Sequence, residues 1–364
     1  MNDRIENTFA AISRAGCPHH IDHLAPLCAL FNAPYLSPHE EEVAFVKRFY
    51  PKIKTELVPV SHFHPGYFTD HYDVLIHSFP WPKALIENYP LSARKNVRTI
   101  FTPHGYSDKQ FLENSWKDYQ QNDITLLYGK SMEEHLHDQG ANLSSFLLMG
   151  NLRYSYYLAH KAFFDEIANR EIFSEFSEKK PILLYAPSWK IGAFSSSLYQ
   201  VERFVFQVLP RYFSVVVKLH PWQEKDRIAS LYQILSRYEE APSVKIVTEF
   251  PCIYPILEKS DIFLGDVSSV GYDYLTFNRP MFFIRPPGLD IAHPALFLQQ
   301  YGEVLSLHNE EKEAKHMEQV AQQTWEKCSQ KTDLYEKIYG SFVPFRTKQQ
   351  QLLEEILTLL KTRV

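Results

Sequence analysis

The chain has 364 residues, 45% of them apolar, with 26 Phe, 22 Tyr and only 12 Gly; this excludes a disordered chain and is enough for two ordinary domains. The formal net charge is −5 and no long basic block stands out, which argues against a dedicated nucleic-acid binder while leaving room for a local phosphate pocket. Cys17, Cys28, Cys252 and Cys328 form no C-x-x-C pair, so neither a disulfide framework nor a zinc knuckle is expected, and a reducing cytoplasm is.

In chain order, the opening MNDRIENTFAAISRAG lacks the basic start and apolar core of a signal peptide. No apolar run approaches the ~20 residues that span a bilayer. The expectation is a soluble cytoplasmic protein that at most touches the inner face of a membrane peripherally. Short apolar runs predict strands at Thr55–Val60, Asp73–His77, Val97–Phe101, Ile124–Tyr128 and Phe146–Leu148. A second set follows at Ile182–Tyr185, Ser214–Leu219, Val244–Val247, Ile262–Leu264 and Met281–Ile284. Helical patterns such as Ser131–Gln139, Gln200–Leu209 and Lys225–Tyr238 lie between them, and this alternation indicates βαβ units with parallel sheets.

The spacing predicts an α/β protein: two Rossmann-like doubly wound domains facing a cleft, with ligand beyond the carboxyl ends of the strands. The expected layout is a first domain over residues 1–153, a helical linker over 154–180, a second domain over 181–309 and closing helices over 310–364. The linker ends in the charged run Ser177-Glu178-Lys179-Lys180 before Pro181. The tail carries QQQLLEEILTLLKTRV, whose leucines recur at three- and four-residue intervals. That spacing fits packing back across the domains, or a membrane-surface or partner-binding role.

Polar groups open four of the loops that follow predicted strands. After Val97–Phe101 comes Thr102-Pro103-His104-Gly105-Tyr106-Ser107-Asp108-Lys109, where His104 can present its ring to a cleft and Gly105 allows close backbone approach; a histidine satisfied by a loop carbonyl is the plainer alternative. After Ile182–Tyr185 comes Ala186-Pro187-Ser188-Trp189-Lys190, with Ser188 able to cap or bind phosphate and Lys190 able to supply a cation, or else a proline turn with a surface lysine. Lys218-Leu219-His220-Pro221 closes the strand Ser214–Leu219, and alternation allows Lys218 and His220 to project to one side. In Gly265-Asp266-Val267-Ser268-Ser269 a serine pair opens a helix, where hydroxyls and free N–H groups favour an anion. Capping needs only one such residue. Asp266, whose charge would repel a phosphate, is read as a cap or loop-holder.

Histidine pairs occur at His19-His20-x-x-His23, His62-x-His64 and His135-x-His137, but no Cys or acidic set beside them completes a metal site. The motifs G-x-x-x-x-G-K-S/T, G-x-S-x-G and G-x-G-x-x-G are absent, which removes the main support for P-loop, hydrolase and ordinary dinucleotide readings.

Taken in order, His104-Gly105, Ala186-Pro187-Ser188-Trp189-Lys190, Lys218-Leu219-His220-Pro221 and SDIFLGDVSSVGYDYLTFNRPMFFI at 260–284 resemble the CDP-glycerol glycerophosphotransferase family of the teichoic-acid polymerase and primase type. The resemblance covers about residues 97–285. It implies a GT-B-like fold, an acceptor-side first domain and a second domain that binds a nucleotide-activated donor. It also implies transfer of glycerol phosphate, or a similar polyol phosphate, from a CDP-activated donor to an acceptor hydroxyl, with release of CMP. By position, His104 would be the acceptor-side base and His220 would stabilise the pyrophosphate or leaving group. Ser268 and Ser269 would hold donor phosphates, with Lys218, Ser188 and Lys190 beside them and Gly105 and Asp266 supporting the loops. The acceptor would be a glycan, a lipid-linked molecule or a polyol phosphate, with no nucleic acid partner, no cofactor beyond the donor and no required metal.

Family members commonly continue the His-Gly pair with Thr-Pro-Leu-Lys, where this chain has Tyr106-Ser107-Asp108-Lys109, so the acceptor does not carry over. A nucleotide-sugar glycosyltransferase of the same architecture and a non-catalytic nucleotide-binding module are the competing readings.

Overall fold

The structure, a computed structural model, describes residues 8–13, 17–79, 97–111, 117–191, 194–223, 227–241, 243–286, 288–323 and 328–361. By its contacts the chain divides into two units. The first comprises Met1–His104, Ser115–Ala159 and Lys337–Val364, and the second comprises Gly105–Asn114 and His160–Glu336.

The first unit is built on a parallel sheet of seven strands: β1 (Phe9–Ile12), β2 (Tyr35–Ser37), β3 (Thr55–Leu57), β4 (Val74–His77), β5 (Arg98–Phe101), β6 (Ile124–Leu127) and β7 (Phe146–Leu148). Their order across the sheet is β3-β2-β1-β4-β5-β6-β7. Strand order reverses between β1 and β4, which pair in register from Phe9 with Val74 to Ile12 with His77. The central strands are continuous apolar runs because helices cover both faces of the sheet: every residue of β1, β4 and β6 is buried. The C-terminal helix Phe345–Lys361 packs on Leu152–Ala159 and Ile21–Phe31. It buries Leu352, Ile356 and Leu360, a stripe of i, i+4, i+8 spacing.

The second unit repeats the plan with β8 (Ile182–Ala186), β11 (Ser214–Lys218), β12 (Val244–Val247), β13 (Ile262–Gly265), β14 (Met281–Phe283) and β15 (Glu303–Val304). All are parallel, in the order β12-β11-β8-β13-β14-β15. A two-stranded antiparallel ribbon, β9 (Lys190–Ile191) with β10 (Phe194–Ser195), is inserted after β8. Leu183, Tyr185, Val215, Val217, Ile262 and Phe282 form one core face with the helical segment Phe204–Val208, helix Ile228–Tyr238 and helix Glu310–Gln322. Counting strands from β8, the order is again 3-2-1-4-5-6, with the switch point between β8 and β13.

All the strands read from the sequence are present. The run Thr55–Val60 is cut short at Leu57, since Pro59 has no N–H to give the ladder. The strands β1, β2 and β15 and the ribbon went unread. Phe9–Ile12 is half alanine, and the others are only two or three residues long. The chain takes the two-domain α/β form expected of it.

Replacing the fully buried Ile356 by alanine should lower the stability of the first unit by about 2–5 kcal/mol through lost burial and the cavity left behind. Glu355→Ala on the exposed face should change it by less than about 0.5 kcal/mol. Chemical denaturation followed by tyrosine and tryptophan fluorescence measures both.

Candidate active site

In the second unit, the loops that leave β8 and β13 at the switch point are joined by one carboxylate. Asp266 is 2% exposed. It accepts hydrogen bonds from the backbone N–H of Ser188 (2.9 and 3.1 Å to its two oxygens), the N–H of Ser197 (3.4 Å), the hydroxyl of Ser197 (2.7 Å) and its own neighbour's N–H at Val267 (2.6 Å). A buried charge is tolerated when its lone pairs are met in this way. Because the Ser197 hydroxyl donates to Asp266, it accepts from the phenol of Tyr185 at 2.7 Å. Burial, and then the Asp266 charge, push the Tyr185 phenol far above its ordinary range, so it remains a donor.

Beyond Asp266, Ser268 caps helix Ser269–Tyr274, its hydroxyl accepting from the Val270 N–H at 3.4 Å. Tyrosine hydroxyls from this helix and from the helix Tyr254–Lys259 fix it in place. Tyr274 donates to the Ser260 carbonyl (2.9 Å), Tyr254 donates to Asp273 (3.1 Å), and the Tyr272 hydroxyl donates to Asp108. Residues 105–111 are packed on the same helix. Gly105 sits at φ +134°, and a Cβ there would lie 3.1 Å from both Cβ and Oγ of Ser269; both the conformation and the space select glycine. The Ser107 hydroxyl donates to the Val267 carbonyl at 3.3 Å, and the Tyr106 ring meets that of Tyr272 edge-on at 4.7 Å.

Asp108 completes this clamp. One of its oxygens takes the Tyr272 hydroxyl and the other the Leu298 N–H at 3.0 Å. Burial pushes its carboxyl up to about 7, against the opposing pull of those two donors.

Lys218 ends β11, the neighbour of β8, and His220 lies on the loop that follows. Lys218 is half-buried and donates to the Leu219 carbonyl at 3.2 Å. The Nδ1 of His220 accepts the Trp222 N–H at 3.0 Å, so neutral His220 carries its proton on Nε2 and can donate from that side. Its ring lies 6.2 Å from Trp189 and 6.1 Å from Trp222, and the two tryptophans meet at 5.5 Å. These rings join the loops after β8 and β11. Among the described residues, the buried Ser188 hydroxyl and both polar atoms of the Gln223 amide have no hydrogen-bond partner. The side chain of Lys190 lies outside the described residues.

The first unit holds His104, exposed at the carboxyl end of β5, with its ring stacked on His20 at 4.5 Å and 20°. Tyr128 donates to the Pro103 carbonyl at 3.1 Å, just ahead of His104. The sequence thus brings Ser188 to Asp266 and Gly105 to Ser269, but Ser197, Asp108, Tyr272 and His20 were not read from it as site residues. The His19-His20-x-x-His23 pattern was a visible signal, considered only for metal. Among the described residues no cluster of His, Cys, Asp and Glu is arranged to hold a metal ion, and no helix is long and apolar enough to cross a membrane.

Residues 159–351, more than half of the chain, match the family described as CDP-Glycerol:Poly(glycerophosphate) glycerophosphotransferase. The chain belongs to that family. It is a transferase, and the matched stretch contains Ser188, His220, Asp266 and the Ser268–Ser269 pair. Among solved structures it is similar to the wall teichoic acid polymerase TagF, with TM-score 0.59 and 14% identity over 99% of this chain and 90% of that one. A TagF variant soaked with CDPG gives 0.63 and 16% over 98% and 90%. The UDP-GlcNAc 2-epimerase of Neisseria meningitidis bound to UDP-GlcNAc gives 0.58 and 11% over 96% and 99%. At such identities the likeness is one of fold, and it makes the architecture GT-B-like. No curated protein sequence matches the chain significantly.

Two outcomes follow from the carboxylates. Asp266→Asn removes the charge and turns an NH2 group toward donors, so it should lower the melting temperature, as scanning calorimetry would record. Asp108 has its folded-state pKa raised, so its contribution to stability is full below the ordinary carboxylate pKa near 4 and is lost as pH rises toward about 7. Asp108→Asn, whose amide keeps a donor for Tyr272 and an acceptor for Leu298, should flatten that decline when melting temperature is measured across this range.

Proposed function

We propose that the protein transfers glycerol phosphate, or a closely related polyol phosphate, from a CDP-activated donor to an acceptor hydroxyl in the synthesis of a cell-envelope or surface polymer, releasing CMP. The observation that carries this reading is the placement of the family's polar residues. Ser188, Asp266, Ser268 and Ser269 stand on the two loops that flank the switch point between β8 and β13, where doubly wound sheets bind their ligands.

In this mechanism the acceptor oxygen attacks the β-phosphorus of the donor in line. A new P–O bond forms to the acceptor, the bond from the β-phosphorus to the bridging oxygen breaks, and CMP departs with that oxygen. His104 takes the acceptor's proton. His220 donates from Nε2 to the leaving oxygen, a direction supported by the bond that commits its Nδ1 as an acceptor. Ser268 and Ser269 hold the diphosphate at the helix start, with Lys218 and Lys190 supplying positive charge. The unpaired Ser188 hydroxyl and Gln223 amide are groups whose burial costs about 1–3 kcal/mol each when unsatisfied, and donor atoms would complete them. The acceptor is a glycan, a lipid-linked molecule or a polyol phosphate, and nothing in the chemistry calls for a metal.

CDP-glycerol or CDP-ribitol should raise the melting temperature in proportion to the logarithm of ligand concentration, and UDP-sugars should not. Stabilisation by a UDP-sugar alone would replace this reading with a glycosyltransferase. His104→Ala and His220→Ala should each lower kcat by at least about a hundredfold while the melting temperature is kept; wild-type turnover in either would remove that residue from the mechanism.

A further inference from the structure

The first sheet has its own switch point, between β1 and β4, and the loops there bring imidazoles together. His20, from the loop after β1, is 2% exposed, and its Nδ1 is hydrogen-bonded to the Ser78 hydroxyl on the loop after β4 at 2.8 Å. Its ring lies flat against that of His104, from the loop after β5, at 4.5 Å and 20°. His19 stands edge-on to both, 4.5 Å from His20 and 6.1 Å from His104. A second contact fixes the backbone. Tyr128 gives its hydrogen to the Pro103 carbonyl at 3.1 Å and therefore accepts from Nδ1–H of His23 at 3.0 Å.

One consequence follows for His104. An exposed imidazole on a loop samples several rotamers, and a flat contact with a buried, hydrogen-bonded ring removes most of them; base catalysis depends on such orientation.

We propose that His20 is a positioning residue for the reaction, holding the His104 ring in one orientation. This rests on the reading of His104 as the acceptor-side base.

The test is CMP release from CDP-glycerol with a poly(glycerol phosphate) acceptor by the full chain and its variants. His20→Ala should lower kcat by about tenfold or more with donor KM unchanged. His20→Phe restores the stacked ring without its nitrogens. It should bring kcat back to within about threefold of wild type. A wild-type kcat in His20→Ala, a loss confined to KM or melting temperature, or a His20→Phe kcat no better than that of His20→Ala would each overturn the proposal. Full turnover in His104→Ala would instead sink the assignment of the base, whatever His20 does; an inactive His104→Ala beside an unaffected His20→Ala would sink only the role of His20.

Discussion

The second unit depends on a single buried carboxylate. Asp266 is the point at which three stretches of chain with little regular structure of their own, around Ser188, Ser197 and Val267, are brought to one place. Each supplies a backbone N–H that would otherwise be left without a partner inside the protein, and the carboxylate collects all of them. Its charge makes it unsuited to touch a phosphate directly and well suited to this structural task. The serines after it stand beyond the carboxyl end of β13, and Asp266 is turned inward. The phenol of Tyr185 lies beneath Ser197 and extends the same chain of bonds into the core.

Both units use the same strand order, and each gathers its polar residues at the carboxyl ends of the strands that flank its own switch point. The chemistry collected there differs. The second unit offers hydroxyls, amides, a histidine committed to donation and a pair of tryptophans. The first offers stacked imidazoles. The segment 105–111 belongs to the second unit by its contacts, clamped by Gly105, Ser107 and Asp108, although it follows directly on β5 of the first.

The sheets were largely legible in the sequence because buried parallel strands are continuous apolar runs, and runs such as Val215–Val217 and Leu183–Tyr185 admit few other readings. Phe9–Ile12 escaped because alanines carry little strand preference, and Glu303–Val304 because two residues give no period. The motif residues were legible by type and order. Their partners were not: Ser197 lies 69 positions from Asp266, Tyr272 lies 164 from Asp108 and Ser78 lies 58 from His20. No local pattern marks such pairs, since they are set by which strands become neighbours. Asp108 shows the difficulty well. By sequence it is an acidic residue in a polar loop, and only the fold reveals a buried carboxyl that titrates near neutrality.

The central claim is that the donor's diphosphate is held at the β8–β13 switch point. A crystal structure of the full chain soaked with CDP-glycerol tests it most directly. The account predicts phosphate density in hydrogen-bonding range of Ser268 and Ser269, with His220 Nε2 directed at the bridging oxygen. Donor phosphates seated instead among the histidines of the first sheet, with the Ser268–Ser269 pair untouched, would contradict it.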